Sequence, residues 1–151
     1  MRKLIFILIA VLTVSAVSAD AQTTTVSDTD KAAIKQTALD YVEGWYAGDA
    51  ERMKRALHPD LAKRIVRQDA QANSRLDQMG AMALVQGTRR GFGKQTPKEK
   101  QQKDVVVLDV FENAASVKTV MSDWIDFMHL AKFNGRWVIV NVLWEMKPEK
   151  K

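Results

Sequence analysis

Cysteine is absent from this 151-residue chain, and histidine and proline are scarce, at two and three residues. Without cysteine there is no disulfide, no thiolate chemistry and no attachment point for a lipid anchor. Two histidines, His58 and His129, make no metal-ligand spacing, so neither a metal nor a cofactor is expected. Apolar runs of bilayer length are missing too. The longest, Leu4 to Val14, falls short of the roughly 20 residues a membrane helix needs.

What is present is the balance of an ordinary folded domain, 46% hydrophobic and 27% charged, at a length that suits one core. The N-terminus reads Met1-Arg2-Lys3, the apolar run, then the small residues Ser15 to Ala21. That order of basic, apolar and small-residue segments is a secretory signal. Val17-Ser18-Ala19 and Ala19-Asp20-Ala21 both fit the cleavage rule, and Ala21 is the favoured site. The expected organisation is a signal peptide over residues 1–21, a polar spacer over 22–27 and a domain over 28–148, in a secreted or periplasmic protein with no membrane association after cleavage.

Cleavage there removes Arg2, Lys3 and Asp20, lowering the formal net charge from +5 to +4. The basic residues are interleaved with acids and accompany no aromatic ladder, which describes a solvated surface and argues against a nucleic-acid partner. Gly93-Lys94-Gln95-Thr96 superficially resembles the end of a phosphate loop, and Gly87, Gly91 and Gly93 a dinucleotide motif. Both require a strand before and a helix after, and the pattern here is the reverse.

Ser27 or Asp28 is placed to cap a helix in which Ile34, Ala38, Tyr41, Val42 and Trp45 share one face, ending at Gly48. Asp49 caps a second, short helix that Pro59 is expected to stop after His58. Leu61–Arg67 reads as a short strand or extended connector, and residues 68–75 are polar and weakly specified. A third helix lies within Leu76–Arg90, its start placed near Ala81 by Gly80, and residues 91–103 form a loop.

The C-terminal third turns β-rich, with expected antiparallel strands over Val105–Phe111, Ser116–Lys132 and Arg136–Met146. Asn134-Gly135 is a strong two-residue hairpin signal, and Glu112–Ala115 is a weaker turn. Setting Phe133 opposite Arg136 turns Asp123, Ile125, Phe127, His129 and Ala131 toward the helices, beside Val138, Val140, Val142, Trp144 and Met146. Setting Glu112 opposite Ala115 brings Val117, Thr119 and Met121 onto that face, against Val110, Leu108 and Val106. Trp124, Met128 and Trp137 then fall on the outer face, as a subunit contact, and a dimeric interaction module working through that face is one reading of the chain's function. A bulge would exchange these assignments beyond it.

The order of helices and terminal sheet, together with Asp40–Tyr46, Gly48–Glu51, Leu57-His58-Pro59-Asp60, Asp123-Trp124-Ile125-Asp126, His129–Trp137 and Asn141–Glu145, resembles the NTF2-like (nuclear transport factor 2-like) superfamily. Within it, the chain is similar to the lumazine-binding-type family. The resemblance implies an α+β cone, a curved antiparallel sheet wrapped around N-terminal helices, with an internal pocket for a small molecule and commonly a homodimer. It also implies a choice between a non-catalytic binding protein and an acid–base isomerase or lyase of the SnoaL or ketosteroid isomerase type.

On the residues themselves, Tyr41, Trp45 and Trp144 are placed to stack on a flat apolar or aromatic ligand, with Phe127 beside them. Asp123 and His129 are the sharpest titratable pair, candidate ligand contacts in their own right and the catalytic candidates if there is catalysis. Six residues of strand at ~3.3 Å each would hold them about 20 Å apart, so at most one serves a given reacting atom. His58 at a helix end has a sufficient structural explanation in the helix dipole.

Overall fold

The computed structural model describes residues 27–148. The expected signal peptide and nearly all of the expected spacer lie outside the described residues. Ser27 caps the first element: its hydroxyl accepts the Asp30 amide at 3.1 Å, and α1 runs Asp28–Ala47. Gly48 ends it at φ +67°, where a side chain would be strained, and returns its N–H to the Gly44 and Trp45 carbonyls. Asp49 then accepts the Arg52 amide at 2.9 Å and starts α2, Ala50–Ala56.

Pro59 does not end α2. The helix stops at Ala56 and the chain extends at once into β1, Leu57–Gln68. His58 therefore lies in a strand, stacked at 4.6 Å on Phe133, and not at a helix terminus. Pro59 and Asp60 fall where the pairing of β1 slips between Leu57 and Ala62, an irregularity that tolerates a residue without an N–H. The weakly specified stretch is a hairpin. Asp69 accepts the amides of Gln71 and Asn73, both at 2.9 Å, and β2 returns over Ser74–Met79. α3 spans Ala81–Arg89, starting where the sequence placed it. Two short 3₁₀ turns, Phe92–Gln95 and Lys98–Lys100, occupy the following loop.

Four strands complete the sheet: β3, Asp104–Phe111; β4, Ala114–Val120; β5, Trp124–Phe133; and β6, Arg136–Met146. The order across the sheet is β2-β1-β6-β5-β4-β3, and every pairing is antiparallel except that of β1 with β6, which is parallel. The curved sheet wraps the helices, giving the α+β cone, and its core includes Ile34, Val42, Met53, Leu61, Val117, Met128, Ile139 and Val142.

The face assignment in β5 is the reverse of the one expected. Ser116–Lys132 is not one strand but a hairpin broken at Met121–Asp123, where Met121 N–H bonds to the Trp124 carbonyl at 2.9 Å and the Tyr46 hydroxyl accepts the Ser122 amide at 2.9 Å. The turn changes the parity of the strand that follows. Thr119 and Val117 face inward as expected, but across from them stand Asp126 and Met128. Phe127 and His129 consequently point outward and are exposed.

Trp124, Met128 and Trp137, expected on the outer face as a subunit contact, turn inward. Met128 and Trp137 are buried in the core. Trp137 donates through Nε1 to Asp30 at 2.8 Å, and its carbonyl accepts from Thr37, so β6 is fastened to the first turns of α1. A bulge after Ile139 brings Val142 and Trp144 to the inner face nonetheless. In β3 the pairing is Phe111 with Ala114, and a second slip at Leu108 leaves Val106 and Leu108 exposed while Val105, Val107 and Val110 pack inward.

Gly93 lies against the last turn of α1. A Cβ built there would stand 2.2 Å from the Trp45 carbonyl oxygen and 2.5 Å from its ring. Gly93→Ala should therefore lower stability by about 3 kcal/mol, as overpacking against backbone does, read as a reduced denaturation midpoint. An unchanged midpoint would show that this loop does not hold Trp45.

Candidate functional site

Between α1, α3 and the inner faces of β1, β5 and β6 lies a cavity of about 260 Å³ that is open to solvent. Its wall is aromatic: Tyr41 and Trp45 from α1, Trp124 from the start of β5 and Trp144 from β6. The three indoles form a connected set of edge-to-face contacts, Trp45 to Trp124 at 5.8 Å and Trp124 to Trp144 at 6.1 Å. Met79, Leu84 and Met146 complete the apolar lining, and exposed Asp123 stands at its edge.

One polar cluster interrupts this apolar wall. Lys63 is the middle member of the inward row Leu61, Lys63, Ile65 and is 3% exposed, and Asp126 is fully buried. Their side chains form an ion pair. The other Asp126 oxygen accepts from Trp124 Nε1 at 2.9 Å and from Thr119 Oγ1 at 3.3 Å. Lys63 Nζ also donates to the Tyr41 hydroxyl at 2.8 Å and lies 4.7 Å from the Trp144 ring centroid, 5.4 Å from that of Tyr41 and 5.9 Å from that of Trp124.

Burial pushes the Lys63 ammonium below the ordinary lysine range, against the opposing pull of Asp126. Burial together with the Asp126 charge holds the Tyr41 phenol well above its usual value, so it stays protonated. Trp144 Nε1 is buried and, among the described residues, has no hydrogen-bond partner.

The residues singled out from the sequence divide cleanly. Tyr41, Trp45, Asp123 and Trp144 line the cavity; Phe127 and His129 lie on the opposite face of β5. His129 contacts Asn141 on that outer face at 3.3 Å. An acid–base pair of Asp123 and His129 is therefore not assembled in one cavity. Lys63, Asp126 and Trp124 were missed. Strand alternation in Leu61-x-Lys63-x-Ile65 carries the signal for Lys63, whereas Asp126 and Trp124 become legible only once the turn at Ser122-Asp123 is placed.

Residues 29–145 match the family described as putative lumazine-binding. No curated protein matches the chain. Among solved structures it is similar to an NTF2-like protein of unknown function from Shewanella baltica OS155, at 20% identity over 83% of this chain and 99% of that one, with a TM-score of 0.64. It is similar as well to a putative Ca/calmodulin-dependent kinase II association domain from Exiguobacterium sibiricum 255-15, at 12% identity over 83% and 98% with a TM-score of 0.57. A putative scytalone dehydratase from Novosphingobium aromaticivorans DSM 12444 aligns at 16% identity over 80% and 85%, with a TM-score of 0.51. At these identities the likeness is one of fold.

Removing one member of a buried ion pair strands the other's charge, whereas removing both does not. Lys63→Met or Asp126→Leu alone should cost about 3–5 kcal/mol, and the double variant clearly less than the two single losses combined. Denaturant unfolding of the three variants checks this; strictly additive losses would show that the pair is uncoupled.

Proposed function

This chain belongs to the putative lumazine-binding family of NTF2-like proteins, and from that premise we propose that it is an exported protein that holds a small, flat, largely apolar ligand inside its cone without transforming it. The observation that carries the reading is the cavity walled by three indoles and a phenol. Its volume of about 260 Å³ lies at the lower edge of the usual ~300–1,000 Å³ range of ligand pockets, which suits a ligand of one or two fused rings. Stacking on Trp45, Trp124 and Trp144 supplies most of the affinity, and the Lys63–Asp126–Tyr41 cluster supplies the polar end.

Export supports the same reading from the other direction. The N-terminal order of basic, apolar and small segments is that of a cleaved signal, and a chain without cysteine needs no oxidising step to fold after it. Recovered from the export fraction of expressing cells, the protein should begin at Gln22 by intact mass. Flat heteroaromatics, lumazine among them, should quench its tryptophan fluorescence in a saturable way, because three of its four tryptophans line the cavity. A retained leader sinks the export half; quenching that does not saturate sinks the pocket half.

A second observation favours self-association. Val106, Phe127 and Leu143 are each about half exposed on the outer face and lie in one row, since Val106 pairs with Lys118, Lys118 with Phe127 and Phe127 with Leu143. We propose a homodimer through this row. Sedimentation should show a dimer that Phe127→Arg reduces to a monomer; a dimer unaffected by the change would place the contact elsewhere.

A further inference from the structure

We propose that the ligand does not end inside the cavity: its flat apolar part lies among the indoles, and a short chain carries an acidic group, such as a carboxylate, over the rim into a basic groove beside it. This rests on the reading of the cavity as a ligand pocket and adds the class of molecule it takes, an aromatic amphiphile with an anionic tail.

The two hollows abut. A groove of about 680 Å³, with Lys100, Gln102, Ser122 and Lys147 in its lining, shares Asp123 and Met146 with the aromatic cavity. The cavity is open to solvent and small, so a ligand larger than one or two fused rings emerges from it. Met146 is 45% exposed and lines both, which gives the crossing an apolar surface for a few methylenes.

The sides of the groove are pinned to the turn before β5. Ser122 Oγ donates to the Lys100 carbonyl at 2.6 Å and accepts the Gln102 amide at 3.3 Å. From the other side the Lys147 amide donates to the Asp123 carbonyl at 2.8 Å, and Lys147 Nζ donates to Gln102 Oε1 at 2.7 Å. The groove is therefore formed before a ligand arrives, and little ordering opposes binding there.

Its charge is positive. Two lysines and one carboxylate line it. Lys100 is exposed and, among the described residues, forms no ion pair, while Lys147 keeps donors beyond the one given to Gln102. Gln102 also donates to Asp104 at 2.6 Å, but Asp104 is not part of the groove lining. Asp123 stands at the junction, so the anion lies past it, which requires a spacer between ring and acid. The cavity itself offers an anion no uncompensated cation, because Lys63 is matched by Asp126.

Naphthalenes with different tails test this by calorimetry on the purified protein at low salt. 4-(2-Naphthyl)butanoate should bind about fivefold more tightly than its primary amide, the upper end of what an exposed ion pair contributes. The butylamine on the same ring should be weakest. 2-Naphthoate, its acid fixed to the ring, should gain nothing over 2-naphthamide. In roughly 1 M salt, where charges more than about 3 Å apart are screened, the advantage of the butanoate should vanish. Lys100→Gln together with Lys147→Gln should bring the butanoate down to its amide and leave the amide's affinity where it was.

A butanoate no tighter than its amide, an advantage that survives the double substitution or is matched by 2-naphthoate, or an amine that binds tightest overturns the proposal while the pocket stands. If none of the naphthalenes binds, the pocket reading falls and the proposal falls with it.

Discussion

The arrangement on which the interior depends is the buried pairing of Lys63 with Asp126. Two full charges are taken out of water at the centre of an aromatic wall, a step that is favourable only when each is fully matched. The surrounding groups supply that matching: Trp124 and Thr119 on the carboxylate, the Tyr41 hydroxyl on the ammonium, and three aromatic rings within 6 Å of Nζ. The cluster ties α1 to β1, β4 and β5 at a single point.

Much of this was legible in the sequence, and what was not has a definite cause. Helix ends were readable because Ser27, Gly48, Asp49 and Gly80 each have a local reason to interrupt or cap a helix. Tyr41, Trp45 and Trp144 were readable as cavity residues because α1 has a regular period and the bulge in β6 happens to restore the expected parity. The face assignments that failed in β5 and at Trp137 descend from one unread turn. Ser122-Asp123 lies inside a run of β-formers and lacks the glycine that marks the turn at Asn134-Gly135. A strand followed through it carries the wrong parity over ten residues of β5, sending Phe127 and His129 inward and Trp124, Met128 and Trp137 outward. Burial of Tyr46 against Ser122, a contact between residues 76 positions apart, fixes that turn, and no local pattern encodes it.

The family and the fold agree, and neither reaches the chemistry. Structures at 12–20% identity share the cone, while the side chains facing its interior are what a ligand meets. In this chain those are indoles, a phenol and an internally neutralised ion pair, with histidine excluded to the far face.

The parallel pairing of β1 with β6 places the last strand of the chain in the middle of the sheet, between the first hairpin and the C-terminal meander. Up to the turn at Asn134-Gly135 a nascent chain holds two separate sheet fragments, β1–β2 and β3–β5, whose facing edges are both unsatisfied. Only β6 joins them, and it brings Trp144 with it. Closure of the sheet thus waits on β6 and is dominated by contacts distant in sequence, the kind that form slowly. The aromatic wall is therefore complete only when the sheet is, because both wait on the same strand.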